Sequence, residues 1–446
     1  MKTVIMAGGK GTRIASVASD IPKPMIPIDG IPVLEREIEC LEKQGFTDLI
    51  LTVGHLRQVI MDHFGDGSSF GVKIEYFEEE QPLGNAGALF QLRSVLQEDF
   101  LLLNADAIFD VDFERFAAYH REKGGLATLF AHPNSHPYDS GLLVTDAEGH
   151  VEQWLSREDP RPEYYRNLVN AGLHVLSPRV LDLALGRAGI QPGAQPGEQT
   201  GAQSGEQSGE HPGEGQAAGP VKKWDLDREL LKPLSGTGQM YAYVSPEYVK
   251  DMGTPDRYEA VCRDYAAGTV RAKNLKEKQK AVFLDRDGTI NKEVGFCHSA
   301  EEFELLPWAA DNIRRINESG YLAVVVTNQP VIARGGMSFE ELERMHRKLE
   351  TELGKQGAYL DRIYFCPHHP DKGFPGEVPE LKIECSCRKP KPGMLLKAAE
   401  ELNIDLSKSL MVGDSERDRK AGEAAGVRKC ITVGTNEPWE IGEELI

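Results

Sequence analysis

Two successive series of short apolar runs, each alternating with amphipathic segments, constrain the fold of this 446-residue chain most strongly. The first series contains "KTVIMAGG", "DLILTVG", "DFLLLNAD" and "LATLFAH", separated by stretches such as "PVLEREIECLEKQG". The second contains "AVFLD", "YLAVVVTNQ", "DRIYFCP", "SLMVGD" and "KCITVG". Strands that alternate with helices form parallel sheets covered by helices on both faces, so the pattern predicts two doubly wound α/β domains. Ligands of such sheets bind beyond the carboxyl ends of the strands, which is where we expect the functional residues.

A low-complexity segment and a charged stretch indicate how the chain is divided. Residues 191–214 repeat a tetrapeptide, QPGA QPGE QTGA QSGE QSGE HPGE, that lacks the apolar residues needed for a core. Apolar patterning resumes in "KKWDLDRELLKPL", so we interpret residues 191–220 as a disordered insert, with a partner-binding segment as the alternative. The charged stretch "RAKNLKEKQK" precedes the next strand. The sequence therefore predicts a first domain over 1–265, a linker over 266–279 and a second domain over 280–446.

The charge balance excludes several classes of partner. The chain has 51 lysine and arginine residues against 70 aspartate and glutamate residues, a formal net charge of −19, which repels nucleic acids and anionic lipids. No run approaches the roughly 18 apolar residues that a membrane helix needs, and the first residues, "MKTVIMAGG", reach glycine too early for a signal peptide. We therefore expect a cytoplasmic enzyme with neither a nucleic-acid nor a membrane partner.

A glycine-rich turn follows the first apolar run and is a candidate phosphate-binding loop. Its glycines allow backbone amides to approach a polyphosphate, and the cations Lys10 and Arg13 add positive charge. The turn lacks the spacing of a Walker loop or a dinucleotide fingerprint, so a purely steric turn is the alternative. Lys23 stands between two prolines that stiffen its loop and direct its ammonium group towards the phosphates. The candidate nucleotide-binding residues are Ala7, Gly8, Gly9, Gly11 and Thr12.

The stretches "QPLGNAGAL", "LLLNADAIFDVD", "NLVNAGLHVLSP" and "KDMGTPDRYEA" follow this turn in order. Together with the glycine-rich turn, these stretches resemble the sugar nucleotidyltransferases over residues 1–262, in particular the mannose and heptose 1-phosphate guanylyltransferases. The resemblance implies that a sugar 1-phosphate attacks a nucleoside triphosphate, expected to be GTP, and that pyrophosphate leaves. The implied site residues are Asp106 and Asp251 for Mg²⁺, Arg13 and Lys23 for the transferring phosphates, Gly84 and Gly87 for the base, and Asn170 for the sugar.

Three positions differ from this family pattern. Ala105 precedes Asp106 where many relatives have glycine, and Ser156 and Arg157 stand where relatives carry a Glu-Lys pair. The missing glutamate would accept a hydrogen bond from a sugar hydroxyl, so specificity for mannose or glucose is not part of the prediction.

Polar residues follow the strands of the second half in an order typical of phosphatases. Asp285 comes directly after "AVFL" and Asp287 lies two residues later, so one carboxylate is placed to attack and the other to move protons. Further polar residues occur in "VVVTNQ", "CRKPKPGM" and "LMVGDSERD". Over about residues 280–440 this order resembles the haloacid dehalogenase superfamily. The residues concerned are Thr327, Lys389 and Asp414, with Asp418 four residues further on.

This second resemblance implies a mechanism. An aspartyl-phosphate would form on Asp285, with Asp287 acting as general acid and then as general base. Mg²⁺ would bind Asp285, the backbone carbonyl of Asp287 and Asp414. Thr327 and Lys389 would hold the phosphoryl oxygens.

Three cysteines and a histidine in the second half form the pattern C-x-H-x16-C-x-C, which suits a closed structural Zn²⁺ site. His369 is a competing ligand, and loose thiols in a loop are the alternative. The segment between the ligands is rich in proline and glycine and would need such a support. The predicted ligands are Cys366, His368, Cys385 and Cys387.

Four features of the second half together resemble the D-glycero-D-manno-heptose 1,7-bisphosphate 7-phosphatases, with the histidinol phosphatases as near relatives. They are the predicted zinc loop and the stretches "TNQ", "IARG" and "CRKPKPGM". The resemblance implies substrate contacts from Asn328, Gln329 and Arg388, and Arg388 would meet the second phosphate. Three positions differ from the pattern, where relatives usually carry Ser-Gly and Lys: Pro330, Val331 and Ser415.

The two implied activities belong to one reaction sequence. A phosphatase that removes the distal phosphate of a sugar bisphosphate makes the sugar 1-phosphate that a nucleotidyltransferase uses as its nucleophile. The sequence therefore predicts a bifunctional enzyme of GDP-heptose synthesis, with the α anomer implied by the guanylyl class. The same activities on another sugar such as mannose, or a nucleotide-sugar-binding regulator with one decayed site, are the alternatives.

Overall fold

The protein contains two α/β parts, each built around its own main sheet. The computed structural model describes residues 1–9, 14, 21–79, 83–189 and 223–445. The strands of the first part are β1 Thr3–Met6, β2 Pro27–Ile28, β3 Ile31–Pro32, β4 Asp48–Val53, β5 Lys73–Glu78, β6 Phe100–Asn104, β7 Ala107–Asp110, β8 Ala127–His132, β9 Leu142–Thr145, β10 Val151–Leu155, β11 Val169–Leu176, β12 Met240–Val244 and β13 Tyr248–Asp251. Its helices are α1 Val33–Glu42, α2 Arg57–Phe64, α3 Gly87–Gln91, α4 Phe113–Lys123, α5 Arg179–Arg187, α6 Pro255–Ala266 and α7 Thr269–Ala272.

The main sheet of the first part is mixed. Strands β5, β4, β1 and β6 are parallel neighbours in that order, and β11 continues the sheet antiparallel to β6. Beyond β11, strands β9 and β10 extend one edge of the sheet. Strand β8 also pairs with β11, and β12 pairs with β8. The prediction of an α/β sheet is confirmed, and the antiparallel strands are an addition that the sequence pattern did not indicate.

The second sheet is parallel throughout, in the order β16-β15-β14-β17-β18. Each of the five apolar runs predicted as strands in the second half forms one of these strands. They are β14 Ala281–Leu284, β15 Leu322–Asn328, β16 Arg362–Cys366, β17 Leu410–Gly413 and β18 Lys429–Thr432. The helices are α8 Ala309–Glu318, α9 Phe339–Lys355, α10 Gly393–Glu401 and α11 Glu416–Ala425.

Each sheet has a hydrophobic core on both faces, as a doubly wound fold requires. Side chains of a strand alternate between the two faces, so Val4 and Ile5 of β1 enter different clusters. In the same way Val282 and Phe283 of β14 lie in separate clusters. Strands β1 and β14 are therefore held by core packing on both faces of their sheets.

The stretch between the sheets is partly buried and is bonded to both halves. We call residues 273–279 the junction segment. The Leu275 amide donates to Glu247 of the first part at 2.9 Å, while the Asn403 side chain donates to the Leu275 carbonyl at 2.8 Å. The division of the chain within residues 266–279 stays a prediction.

The two parts also touch directly. The Thr351 hydroxyl of α9 accepts from the Tyr165 amide at 2.9 Å and donates to the Tyr165 carbonyl at 3.0 Å. Arg362 donates to the Val244 carbonyl at 3.1 Å. Helix α9 therefore packs against the loop that leads into β11.

Within the described ranges, no helix has the length and apolar character needed to cross a membrane. The predicted disordered insert, residues 191–220, lies outside the described residues.

Candidate active sites

The carboxyl ends of β14, β15 and β17 bring the predicted phosphatase residues into one cavity. Asp285 follows β14, and its amide donates to the Val412 carbonyl of β17 at 2.9 Å. The cavity has a volume of about 380 Å³. Its walls include Asp285, Asp287, Glu293, Phe296, Asn328, Gln329, Pro330, Val331, Lys389, Asp414, Ser415, Arg417, Asp418 and Thr435.

A buried lysine lies at the centre of this site. The Lys389 ammonium is 2.8 Å from Asp285 Oδ1 and 2.5 Å from Asp418 Oδ1, and its side chain is 2 % exposed. Burial raises the pKa of the Asp285 carboxyl to about 7, although the Lys389 ammonium opposes this. A phosphoryl oxygen that reached Asp285 would lie beside a dehydrated ammonium group, whose positive charge offsets the negative charge of the oxygen.

The carboxylate of Asp287 is held by three neighbouring side chains. Arg286 donates to both of its oxygens at 2.9 and 3.1 Å, Asn291 donates at 3.0 Å and Gln329 at 2.7 Å. Burial raises the pKa of Asp287, but these donors outweigh burial and hold the pKa below its usual range. Asp287 is thus oriented and ionised, as a proton acceptor requires.

The three residues at the end of β15 contact the catalytic residues. Asn328 donates to the Lys389 carbonyl and accepts from the Lys389 amide, each at 3.0 Å. Gln329 donates to Thr327 Oγ1 at 2.9 Å as well as to Asp287. Asn328 and Gln329, which the resemblance places against substrate, are bonded here to protein groups that position the site.

Asp414 and Asp418 complete a carboxylate cluster. Asp285, Asp414 and Asp418 each offer an oxygen, and these oxygens lie within 4.8 Å of one another. Asp414 accepts from Thr435 Oγ1 at 2.6 Å. Gly288 has a φ of +81°, and a Cβ there would come within 2.3 Å of Asp414 Oδ2, so only glycine fits beside this carboxylate. The ion pair between Asp418 and Lys389 was not predicted from the sequence.

The four predicted zinc ligands converge. The sulfur atoms of Cys366, Cys385 and Cys387 lie 3.2 to 3.5 Å apart, and His368 Nδ1 is 3.4 Å from Cys387 Sγ. Ligands 2.3 Å from a tetrahedral ion would be about 3.8 Å apart, so the set is close to that geometry. The alternative ligand, His369, bonds through both ring nitrogens to Arg334 and to the Asp371 amide instead.

Arg388 directly follows the predicted metal ligand Cys387 and directly precedes the cavity-lining Lys389. Its guanidinium donates to the His368 carbonyl at 3.3 Å. The peptide that joins Cys387 to Arg388 and Lys389 therefore connects the metal-ligand cluster directly to the catalytic lysine.

The candidate nucleotidyltransferase site is at the ends of β1 and β6. Lys23 Nζ is 2.6 Å from Asp106 Oδ2, and the Asp106 side chain is 41 % exposed. Strand β13 pairs with β7 so that Asp251 lies opposite Ala107. Burial raises the pKa of Asp251, but Arg257 and the Gly253 amide outweigh burial and hold the pKa below its usual range.

Other residues predicted for this site are placed less closely. Ala7, Gly8 and Gly9 follow β1, and the Ala7 amide donates to the Thr52 carbonyl at 2.9 Å. Asn170 is in β11, and its side chain accepts from the Gly172 amide at 3.3 Å. Gly11, Thr12 and Arg13 lie outside the described residues.

Close packing explains both predicted base-pocket glycines. Gly84 has a φ of +82°, and a Cβ there would come within 2.3 Å of the Trp224 carbonyl oxygen. Trp224 donates its amide to the Leu83 carbonyl at 2.9 Å. At Gly87 a Cβ would come within 2.4 Å of the Leu83 side chain. The chain that returns after the insert thus packs directly on this glycine loop.

The family model for nucleotidyl transferases matches residues 2–267, more than half of the chain. The chain belongs to this family. The model for haloacid dehalogenase-like hydrolases matches residues 235–426, and its match begins before the second sheet, whose first strand starts at Ala281. The predicted pair of resemblances is confirmed, and this nucleotidyl transferase is a bifunctional enzyme that also contains a phosphatase.

Similar proteins are known for each half. The second half is 44 % identical over 164 residues to D-glycero-beta-D-manno-heptose-1,7-bisphosphate 7-phosphatase of Yersinia pestis, covering 37 % of this chain and 85 % of that protein. It is 41 % identical over 161 residues to the alpha-manno-heptose enzyme of Photorhabdus laumondii, covering 36 % and 86 %. The structure of HddC from Yersinia pseudotuberculosis complexed with GMP-PN shares 24 % identity and a TM-score of 0.44, covering 59 % of this chain and 99 % of HddC.

Proposed function

We propose that this enzyme removes the 7-phosphate of D-glycero-D-manno-heptose 1,7-bisphosphate and then transfers GMP from GTP to the resulting heptose 1-phosphate, releasing pyrophosphate. One observation carries the proposal: a nucleotidyl transferase is joined to a phosphatase half that is 44 % identical to a heptose bisphosphate 7-phosphatase. The product of that phosphatase is a nucleophile for the other half. We place the enzyme in the cytoplasm, where nucleoside triphosphates are made.

In the phosphatase half, Asp285 is positioned to attack the phosphorus atom. A bond forms from its carboxylate oxygen to phosphorus, and the bond from phosphorus to the sugar oxygen breaks. Binding of the anionic phosphate raises the pKa of the Asp287 carboxyl by like-charge repulsion, so Asp287 takes up a proton from water and then gives it to that sugar oxygen. Asp287 then takes a proton from the water that cleaves the aspartyl-phosphate. Lys389 stabilises the negative charge on the phosphoryl oxygens throughout.

The oxygen cluster fits a hard divalent cation such as Mg²⁺, which prefers carboxylate and carbonyl oxygens. Asp285 and Asp414 would hold it, since Asp418 already pairs with Lys389 and accepts from the Ser415 amide and hydroxyl. When bound, the cation would neutralise charge on the transferring phosphoryl group.

In the nucleotidyltransferase half, an oxygen of the sugar 1-phosphate attacks the α-phosphorus of the nucleotide and the bond to pyrophosphate breaks. Lys23, with Arg13, would stabilise the growing negative charge. Asp106 directly precedes β7 and Asp251 is the last residue of its partner strand β13, so the two carboxylates are placed to bind a second Mg²⁺.

We further propose that Cys366, His368, Cys385 and Cys387 bind one structural Zn²⁺. The support is the donor set, three thiols and one imidazole nitrogen within 4.8 Å of one another. Thiolate and imidazole ligands in a closed tetrahedral set are typical of structural zinc.

Product masses test the proposed function. The purified protein is incubated with heptose 1,7-bisphosphate and each nucleoside triphosphate, and in parallel with hexose bisphosphates and mannose 1-phosphate. We expect inorganic phosphate, heptose 1-phosphate and GDP-heptose to form, and pyrophosphate only when GTP is present. Formation of GDP-mannose in preference to GDP-heptose would contradict the heptose assignment and support the same two activities on mannose.

The anomer is a separate question, because the relatives include enzymes named for the beta and for the alpha sugar. We expect the α anomer, as for the guanylyl class. Incubation with each anomer of the bisphosphate in turn decides this, and faster GDP-heptose formation from the β anomer would reverse the assignment.

A further inference from the structure

The wall of the phosphatase cavity combines many carboxylates with two cations. The acidic residues are Asp285, Asp287, Glu293, Asp414 and Asp418, and the cations are Lys389 and Arg417. Lys389 is held between Asp285 and Asp418 at the closed end. Arg417 is exposed, and among the described residues no carboxylate forms an ion pair with it. It is therefore the cavity-lining cation that remains available to an anionic ligand.

The neighbouring cations of α11 differ from Arg417. Arg419 pairs with Glu416 and Glu423, and Lys420 Nζ is 3.8 Å from Glu416 Oε1. Arg417 is the second residue of the helix, where the positive end of the helix dipole disfavours a cation. Its position stabilises nothing in the protein that the structure shows, which is typical of a side chain placed for a ligand.

Arg388 is a second cation near this cavity. It directly precedes the cavity-lining Lys389, and its guanidinium donates to the His368 carbonyl at 3.3 Å. Among the described residues, no carboxylate forms an ion pair with it. An anion that both guanidinium groups reach accepts hydrogen bonds from both.

We propose that Arg417 binds the non-reacting phosphate of the sugar bisphosphate together with Arg388, and so sets the preference of this phosphatase for bisphosphates over monophosphates. The inference rests on the proposed function, since it needs a substrate with a second phosphate. The reacting phosphate occupies the closed end at Asp285 and Lys389, and the second phosphate lies at the open rim. Arg417 is a specificity residue and takes no part in the transfer itself.

The role predicts a particular kinetic signature. A contact with the distal phosphate is the same in the ground state and in the transition state, so its loss raises KM and leaves kcat unchanged. For Arg417→Ala we expect KM for heptose 1,7-bisphosphate to rise about 10- to 100-fold, the range for hydrogen bonds to charged groups. With p-nitrophenyl phosphate, which has one phosphate, kcat/KM should match that of the wild type.

Two further variants serve as controls. Arg417→Lys keeps the positive charge but loses the bidentate geometry of the guanidinium. Its KM for the bisphosphate should therefore lie between those of the wild type and Arg417→Ala. Arg419→Ala removes a cation of the same helix that is already paired with glutamates, and both substrates should be unaffected. In the wild type, KM for the bisphosphate should rise with ionic strength more steeply than in Arg417→Ala, because screening weakens only a contact that exists.

The outcomes separate the two proposals. If the wild type prefers the bisphosphate and Arg417→Ala retains that preference, this inference is wrong and the proposed function stands. An equal loss on both substrates also overturns it, since Arg417 would then support the fold or the reacting phosphate. A wild type that shows no preference for any sugar bisphosphate over p-nitrophenyl phosphate contradicts the proposed function and this inference together.

Discussion

The two candidate active sites differ in how their charged side chains are held. In the phosphatase, Lys389 is 2 % exposed and lies between two carboxylates, while Asp287 receives hydrogen bonds from three side chains. In the nucleotidyltransferase, the pair between Lys23 and Asp106 involves a carboxylate that is 41 % exposed. The charged groups of the phosphatase site are paired and buried by the protein itself, whereas the nucleotidyltransferase site leaves the Asp106 carboxylate partly in contact with water. We therefore expect the removal of an equivalent charged group to lower the free energy of unfolding by different amounts in the two halves.

The largest expected effect is on chemistry. Asp285→Asn should reduce phosphate release by roughly 10⁴-fold or more, the scale seen when a nucleophile is removed. Nucleotidyl transfer to supplied heptose 1-phosphate should remain near the wild-type rate, because the two cores are separate. Phosphate release and GDP-heptose formation are measured on the same preparation, and full phosphatase turnover in the variant would remove Asp285 as the nucleophile.

A pair of lysine variants tests the comparison on stability. Lys389→Ala leaves Asp285 and Asp418 buried without their partner, which should cost about 3–5 kcal/mol in the free energy of unfolding. Lys23→Ala removes a partner from a partly exposed carboxylate and should cost less than about 1 kcal/mol. Urea unfolding of both variants measures the difference. Equal losses of stability would show that the two sites are not held differently.

The same pair tests the assignment of activities. Lys23→Ala should lower nucleotidyl transfer about 10²- to 10³-fold, the usual effect of deleting a group that stabilises transition-state charge. Its phosphate release should be unchanged. If both activities fell together, the variant would report a folding defect instead of chemistry.

Loss of zinc should give the next largest effect, confined to one half. Freshly purified protein should contain about one zinc per chain, and Cys385→Ser or a strong chelator should lower phosphatase activity about 10- to 100-fold with Mg²⁺ in excess. The reason is positional, since the ligands Cys385 and Cys387 immediately precede Arg388 and Lys389. Cys430→Ser, outside the cluster, is the matched control. Active protein without zinc would disprove the assignment.

The smallest effect is expected from removing the insert. Deletion of residues 191–220 should change the unfolding free energy by less than about 1 kcal/mol, because loop entropy varies slowly with length. Both activities should persist. A marked fall in either would favour the alternative, that the repeat binds a partner or supports a site.

The positions of the catalytic carboxylates could be predicted from the sequence, because a carboxylate directly after an apolar strand of a parallel sheet lies at the carboxyl edge of that sheet. Asp285, Asp287 and Asp414 meet in the cavity for that reason. The direction of β9, β10 and β11 was not readable, since an apolar run looks the same in a parallel or an antiparallel strand.

The hydrogen-bond partners of the catalytic residues could not be predicted from the sequence either. Asn328 clamps the backbone of Lys389, and Arg286 holds Asp287, through side-chain directions that only tertiary packing sets. The junction segment was interpreted as a charged linker because its lysines dominate the pattern. Lys273, Leu275 and Gln279 are nevertheless buried.

The junction segment has a consequence for how the two halves move. The peptide of Leu275 is bonded on one side to Glu247 and on the other to Asn403, and Gln279 exchanges backbone hydrogen bonds with Asn403 and Asp405. We therefore expect the two halves to tumble in solution as a single particle. A sugar phosphate that leaves the phosphatase starts its diffusion at a distance from the second site set by the fold, and not by the contour of a flexible tether.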